Sequence, residues 1–212
     1  MIKHVIWDWN GTLIDDVELC VDILNHFLLC HQKPTLSVEW YRDSFFFPVA
    51  DFYASVGLPS QGAKYDQLAS DYIIKYRERF FECKLQQGAL QTIQNLDSFE
   101  ISQSILTAGM QTDIERFAAH YRISEYMISI DGSDNISAAG KLDRIDSHFC
   151  KLGLDPSEVV IVGDTLHDWQ VSDRANCKSF LFNKGHTSLK RLSEVKVPVL
   201  NSLTELIYLV RS

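Results

Sequence analysis

Short apolar, β-branched runs recur along the chain at 4–7 (HVIW), 104–107 (SILT), 126–130 (YMISI), 158–162 (EVVIV), 179–182 (SFLF) and 197–200 (VPVL). Each is bounded by polar or glycine-containing turns. Runs this short, apolar throughout rather than alternating, predict strands buried on both faces, as in a parallel sheet. Between them apolar residues return at helical spacing: Leu90, Ile93 and Leu96 in 89–97, Ile114, Phe117 and Ala118 in 113–121, Ile145, Phe149 and Leu152 in 142–152, and Trp169, Val171 and Ala175 in 166–176. This alternation of strand and helix predicts an α/β protein with a doubly wound, mostly parallel sheet.

One interval departs from the alternation. From Asp15 to Gln87 the spacing is helical, with Val17, Val21, Leu24 and Leu28, then Leu68, Tyr72, Ile73, Tyr76 and Phe80, and no run suited to a core strand. Residues 15–87 therefore predict a helical lobe inserted after the first strand, turned internally at Gly57-Leu58-Pro59-Ser60, with 1–14 and 88–212 forming the α/β core. The run Phe45-Phe46-Phe47-Pro48 is expected to pack the lobe's helices, or, continued to Phe52, to face the site. The charge-dense stretch 75–82 reads as a solvated helix face. Trp7 is expected in the sheet core and Trp9 beside the cleft.

Composition adds exclusions. A chain of 212 residues, 46% hydrophobic and 23% charged with 5 Pro and 10 Gly, suits one folded domain with an inserted lobe. Its 20 basic and 28 acidic residues give a net charge of −8, which disfavours a nucleic-acid polymer or an anionic membrane as partner. A small anion is still open, because local donors and a metal ion can reverse the field inside one cleft. Five cysteines with no C-x-x-C pair fit neither a disulfide framework nor a zinc site and read as reduced thiols. The apolar stretch at 5–7 is cut by Asp8 and is too short for a signal peptide, and no uncharged run is long enough to span a bilayer. The location expected on these grounds is the cytoplasm. Oligomeric state is left open.

Two motifs carry candidate chemistry. Asp8-Trp9-Asn10-Gly11-Thr12-Leu13 follows the first strand, where a doubly wound sheet presents its ligand edge; a carboxylate there can be a nucleophile, and Asn-Gly alone is a turn signal. Gly163-Asp164-Thr165-Leu166-His167-Asp168 ends the 158–162 strand. Thr165-x-x-Asp168 fits a helix capping box, and the two carboxylates also suit a hard cation such as Mg2+. Thr107, at the end of its run, and Lys141 are weak signals singly. A strand order 3-2-1-4-5 would bring Thr107 and Asp164 to either side of Asp8.

Taken in order, Asp8 to Leu13, Thr107, Lys141 and the 163–168 motif resemble the haloacid dehalogenase superfamily of hydrolases, and within it the phosphoglycolate-phosphatase-like members with a helical cap. The resemblance spans the whole chain. It implies transfer of a phosphoryl group from a small phosphorylated metabolite to Asp8, then hydrolysis of the aspartyl-phosphate. It also implies Mg2+ held by Asp8, the Asn10 carbonyl and Asp164, with Asp168 supporting the metal or its waters, and Thr107, Ala108 and Lys141 at the phosphoryl oxygens. Asn10 departs from the pattern, since hydrolytic relatives carry an acidic residue there that protonates the leaving group and later activates water. An amide can do neither, and general acid–base help is worth roughly 10²–10⁴-fold. P-type ATPases of the same superfamily carry Thr at this position and hold their phosphoenzyme longer. A slow phosphatase, a non-hydrolytic phosphate or partner binder, or a substitute acid such as His167 are the resulting expectations. A signalling receiver domain also unites Asp, Thr, Lys and Mg2+, but its acceptor lies on a later, central strand.

Overall fold

The computed structural model describes residues 1–134 and 141–211. β1 (His4–Trp7) is buried along its whole length and pairs in parallel with β4 (Ser102–Met110) on one side and β6 (Val159–Gly163) on the other. β5 (Ser129–Ser133) adds outside β4, while β7 (Lys178–Phe182) and then β8 (Val199–Leu200) add outside β6. The six-stranded parallel sheet thus runs β5-β4-β1-β6-β7-β8, the expected order with one more strand at the edge.

Side chains alternate across the sheet, as the two-residue period of a strand requires. Val5, Trp7, Ile105, Val160 and Val162 face one layer, closed by α5 (Ala89–Ser98) through Ile93 and Leu96 and by α6 (Gln111–His120) through Ile114 and Phe117. Ile6, Leu106 and Ile161 face the other, closed by α7 (Ile145–Leu152) and α8 (Leu166–Arg174) through Ile145 and Val171. Short helices α9 (Leu189–Leu192) and α10 (Leu206–Leu209) complete the core.

Element boundaries moved where backbone hydrogen bonding overrode the apolar pattern. β4 continues past Thr107 to Met110, which pairs with Ser133 after a register irregularity, so Thr107 lies inside the strand. The run 126–130 begins with a 3₁₀ turn at Ser124–Tyr126, and its strand is shifted to Ser129–Ser133. The 197–200 strand keeps only two residues, because Pro198 has no N–H to give a ladder.

Between β1 and α5 lies a helical lobe, made of α1 (Val17–Cys30), α2 (Val38–Ser44), α3 (Val49–Ser55) and α4 (Gly62–Arg79). It has its own apolar cluster, including Val17, Leu24, Leu28, Tyr41, Phe45, Phe52 and Leu68. The chain enters and leaves it through a two-stranded antiparallel pair, β2 (Ile14–Asp15) with β3 (Lys84–Leu85). This pair stands apart from the six-stranded sheet. Phe80, the last apolar position of the lobe's pattern, instead plugs the core and stacks on Phe117. Trp9 does not line the cleft: it is fully buried and stacks on the same Phe80. Among the described residues no helix is long and apolar enough to cross a membrane.

Candidate active site

Parallel strands place their C-terminal ends at one edge, and that edge gathers the predicted residues. The Asp8 backbone N–H donates to the Val162 carbonyl at 2.8 Å, carrying the β1–β6 ladder one residue beyond β1 and fixing the carboxylate at the strand tip. Asp8 Oδ1 accepts from Lys141 Nζ at 2.6 Å, and the same ammonium reaches Asp168 Oδ1. Thr12 Oγ1 bonds Asp164 Oδ1 at 3.0 Å and lies 3.4 Å from Asp8 Oδ2, which aims the two carboxylates at one volume. Gly11 makes the approach possible: its φ is +75°, and a β-carbon there would collide with the Asp164 carboxylate.

Ligand oxygens of Asp8, Asp164 and Asp168 all lie within 4.8 Å of one another and are buried. An all-oxygen, carboxylate-rich set of this kind fits Mg2+ rather than a softer metal. The electrostatics agree. Burial, with Asp168 and Asp164 acting against Lys141, holds the Asp8 carboxyl well above the usual range, and burial with Asp168 raises Asp164. A divalent cation would relieve both. Asp168 differs: despite burial, Lys141 and the Thr165 hydroxyl lower it, and its Oδ2 is engaged by Thr165 N–H at 3.0 Å and Thr165 Oγ1 at 2.7 Å. The capping box and the carboxylate cluster read from the sequence are therefore the same side chain.

Thr107, Ala108 and Gly109 line the cleft with Asp8, Asn10 and Lys141. Thr107 Oγ1 accepts from Gly109 N–H at 3.1 Å. Arg144 donates to the Thr107 carbonyl and, at 2.9 Å, to Asp131 Oδ1, which ties β4 to β5 at this point.

Asn10 belongs to a second buried network. Its Nδ2 donates to Asp16 Oδ2 at 2.7 Å and to the Tyr76 hydroxyl at 2.9 Å, and that hydroxyl donates to Asp16 Oδ2 at 2.7 Å. Gly11 N–H and His186 Nε2 meet Asp16 Oδ1 at 2.9 and 3.3 Å. Despite its burial, His186 and the two other donors lower the Asp16 carboxyl, and it is ionised. Burial opposes charge on His186, but Asp16, Asp164 and Asp8 push its pKa up to about 9. His186 Nδ1 lies 3.0 Å from the Tyr41 hydroxyl of α2, joining lobe to core. Neither Asp16, which precedes α1, nor His186, in the loop after β7, belongs to a motif read from the sequence. Tyr41 and Tyr76 carried no readable signal, being two aromatics among many on helical faces.

His167 is not placed to act as a substitute acid. Its ring stacks on Phe47, and its Nε2 lies 2.9 Å from the Lys141 backbone N–H, a bond in which the nitrogen must accept. Burial and Lys141 lower its pKa further, so the ring is neutral with its proton on Nδ1, toward Gln170.

Above these groups the lobe encloses a cavity of about 210 Å³ lined by Phe45, Phe47, Val49, Phe52, Tyr53 and Tyr72 among others. The aromatic run read at 45–52 thus does both things expected of it, packing the lobe and facing the site.

A parallel α/β core with a carboxylate at its first strand tip, a facing acidic pair, a buried lysine and a helical lobe over the cleft is the architecture of a capped α/β hydrolase. A family model described as haloacid dehalogenase-like hydrolase matches residues 5–182, and the chain belongs to that family. It is 24% identical, over 99% of its length and 96% of the other protein, to a phosphoglycolate phosphatase of Vibrio parahaemolyticus. Solved structures with the same fold include a haloacid dehalogenase-like hydrolase from Streptococcus pneumoniae, with a TM-score of 0.84, 18% identity and 98% of both chains covered. A second, from Bacteroides fragilis, has a TM-score of 0.85 and 14% identity, covering 97% of this chain and all of the other.

Proposed function

We propose that this protein is a Mg2+-dependent phosphatase that hydrolyses a small phosphomonoester through an aspartyl-phosphate on Asp8. The observation that supports it most is the convergence of Asp8, Asp164 and Lys141 at the sheet edge, two carboxylates aimed at one volume with a buried ammonium between Asp8 and Asp168. Asp8, the Asn10 carbonyl and Asp164 would hold Mg2+, which supplies positive charge against the phosphoryl oxygens. An Asp8 oxygen attacks phosphorus while the ester P–O bond breaks and the leaving oxygen departs with its electron pair. Lys141, Thr107 and the Ala108 backbone hold the phosphoryl oxygens, the neutralisation and in-line positioning on which phosphoryl transfer depends. Asp168 keeps Lys141 pointed at Asp8. Water then attacks the phosphorus of the aspartyl-phosphate, releasing phosphate and restoring Asp8. Asn10 supplies no proton to either step, so turnover is slow for leaving groups that need one. The name of the Vibrio relative makes phosphoglycolate a first ester to assay.

The test is phosphate release from a panel of phosphomonoesters, with and without EDTA, in the natural protein and in Asp8→Asn. Because Asn10-Gly11 is prone to deamidation, the protein assayed is mass-verified at that peptide. Turnover lost on chelation and in Asp8→Asn is the expected result. Turnover indifferent to both would overturn the mechanism, and tight phosphate-ester binding with no turnover would mark a phosphate binder instead.

A further inference from the structure

Two independent features of the cleft constrain the part of the substrate that leaves. The first is the lining of the cavity beyond Asp8 and Thr107. Phe45, Phe52, Tyr72, Ile73, Met110 and Phe117 present apolar and aromatic surface from both lobe and core. Among the described lining residues the only cationic side chains are Lys141 and His186, and each already faces carboxylates, Asp8 and Asp168 in one case and Asp16 in the other. Asp113, a further charge on the wall, is paired with Arg77 at 2.8 Å. A substrate carboxylate entering this volume would shed water without meeting an unpaired cationic side chain among the described lining residues, which is unfavourable.

The second feature is the set of proton donors among the described residues. Asn10 has only an amide, already given to Asp16 and Tyr76. His167 Nε2 accepts from a backbone N–H. Both nitrogens of His186 face fixed partners, Asp16 and Tyr41. An alcohol, whose pKa is near that of water at about 16, leaves poorly without a proton, whereas a phenol at about 10 can leave as the anion.

We propose, on the phosphatase reading above, that the substrate is an aryl phosphate whose phenolic leaving group is carried on an uncharged, mainly apolar body, and is not a small phosphorylated carboxylate. The phenolate departs with the electron pair of the broken P–O bond and takes its proton from solvent, while Asp8 keeps the phosphoryl group until water removes it. Ring-lined walls favour this body through burial and through edge-to-face contacts.

The experiment compares 2-naphthyl, phenyl and cyclohexyl phosphates with phosphoglycolate as substrates in Mg2+. Alongside it, calorimetry measures the non-hydrolysable naphthylmethylphosphonate against 3-phosphonopropionate in the natural protein and in Phe47→Arg. The expected kcat/KM order is naphthyl, phenyl, cyclohexyl, phosphoglycolate, with the first exceeding the last by about 100-fold. The naphthyl phosphonate should bind about tenfold or more tightly than the carboxylate analogue, and Phe47→Arg should narrow that ratio. Phosphoglycolate turned over as well as naphthyl phosphate, or equal binding of the two phosphonates, would overturn this inference and leave the phosphatase reading standing. Cyclohexyl phosphate matching naphthyl phosphate would overturn the requirement for a phenol. Absence of turnover with every ester would overturn the phosphatase reading and this substrate together.

Discussion

At position 10 the side chain is committed to the Asp16 network. Asn10 lines the cleft with Asp8, and its amide satisfies Asp16, an ionised carboxylate 2.7 Å away. An acidic residue in the same place would set two carboxylates against each other, and one would be forced to hold a proton. Asn10 is therefore the residue that the Asp16–His186–Tyr76 network requires, as well as the one that removes the acid and base. It follows that Asn10→Asp alone gains little turnover and loses stability. The paired change Asn10→Asp with Asp16→Asn restores an amide partner for the new carboxyl and should raise kcat on alkyl phosphates by up to about 10²–10⁴-fold. Steady-state rates of the two variants on one alkyl and one aryl ester decide the matter: equal rates in single and double variant would show that Asp16 does not restrain position 10.

At the scale of the element, β1 carries polar freight that its apolar pattern concealed. His4, fully buried, lies 2.7 Å from Ser102 Oγ and 2.8 Å from Ser104 Oγ on β4, and Ser104 lies 2.8 Å from His148 on α7. Burial, and then the neighbouring His148, lower the His4 pKa from 6.5 to about 4. The folded protein thus holds this proton less readily than the unfolded chain. Its contribution to stability is intact above pH 6.5 and is lost as the pH falls toward 4, by roughly 3 kcal/mol in full. Asp8 and Asp164, whose carboxyls are raised, oppose this slope in acid. Urea denaturation at pH 7 and pH 5 should therefore be read as a difference, with His4→Gln losing less stability between the two than the natural protein. Parallel pH profiles would mean that the strand tolerates a charged imidazole.

Across the whole molecule, lobe and core are joined at the site itself. Tyr41 meets His186, Arg42 donates to the Asn183 carbonyl, and Arg191 donates to the Phe45 carbonyl. The carboxylate cluster sits beneath this junction, so a cation bound there acts on the folded state as a whole. Mg2+ is expected to raise Tm, contributing about 2.7 kcal/mol at 100 times its dissociation constant. Asp164→Asn should lose that response. Thermal melts with Mg2+ and with EDTA measure it, and an equal shift in natural protein and variant would place the cation elsewhere.

The sequence alone predicted the parallel core, because burial on both sheet faces is written in short apolar runs, whereas the strand order that brings Thr107 and Asp164 to either side of Asp8 is set by tertiary pairing. It also exposed Asn10 as the departure. Only tertiary structure decided what Asn10 touches, since Tyr76 lies 66 positions away on α4 and shares no spacing with Asp16. The same is true of Trp9, whose neighbours in sequence suggested the cleft while Phe80, 71 positions further on, buried it. His167 illustrates the reason most directly: a histidine within the 163–168 motif looks free in one dimension, and the direction of a single backbone N–H, fixed by the fold, commits its nitrogen.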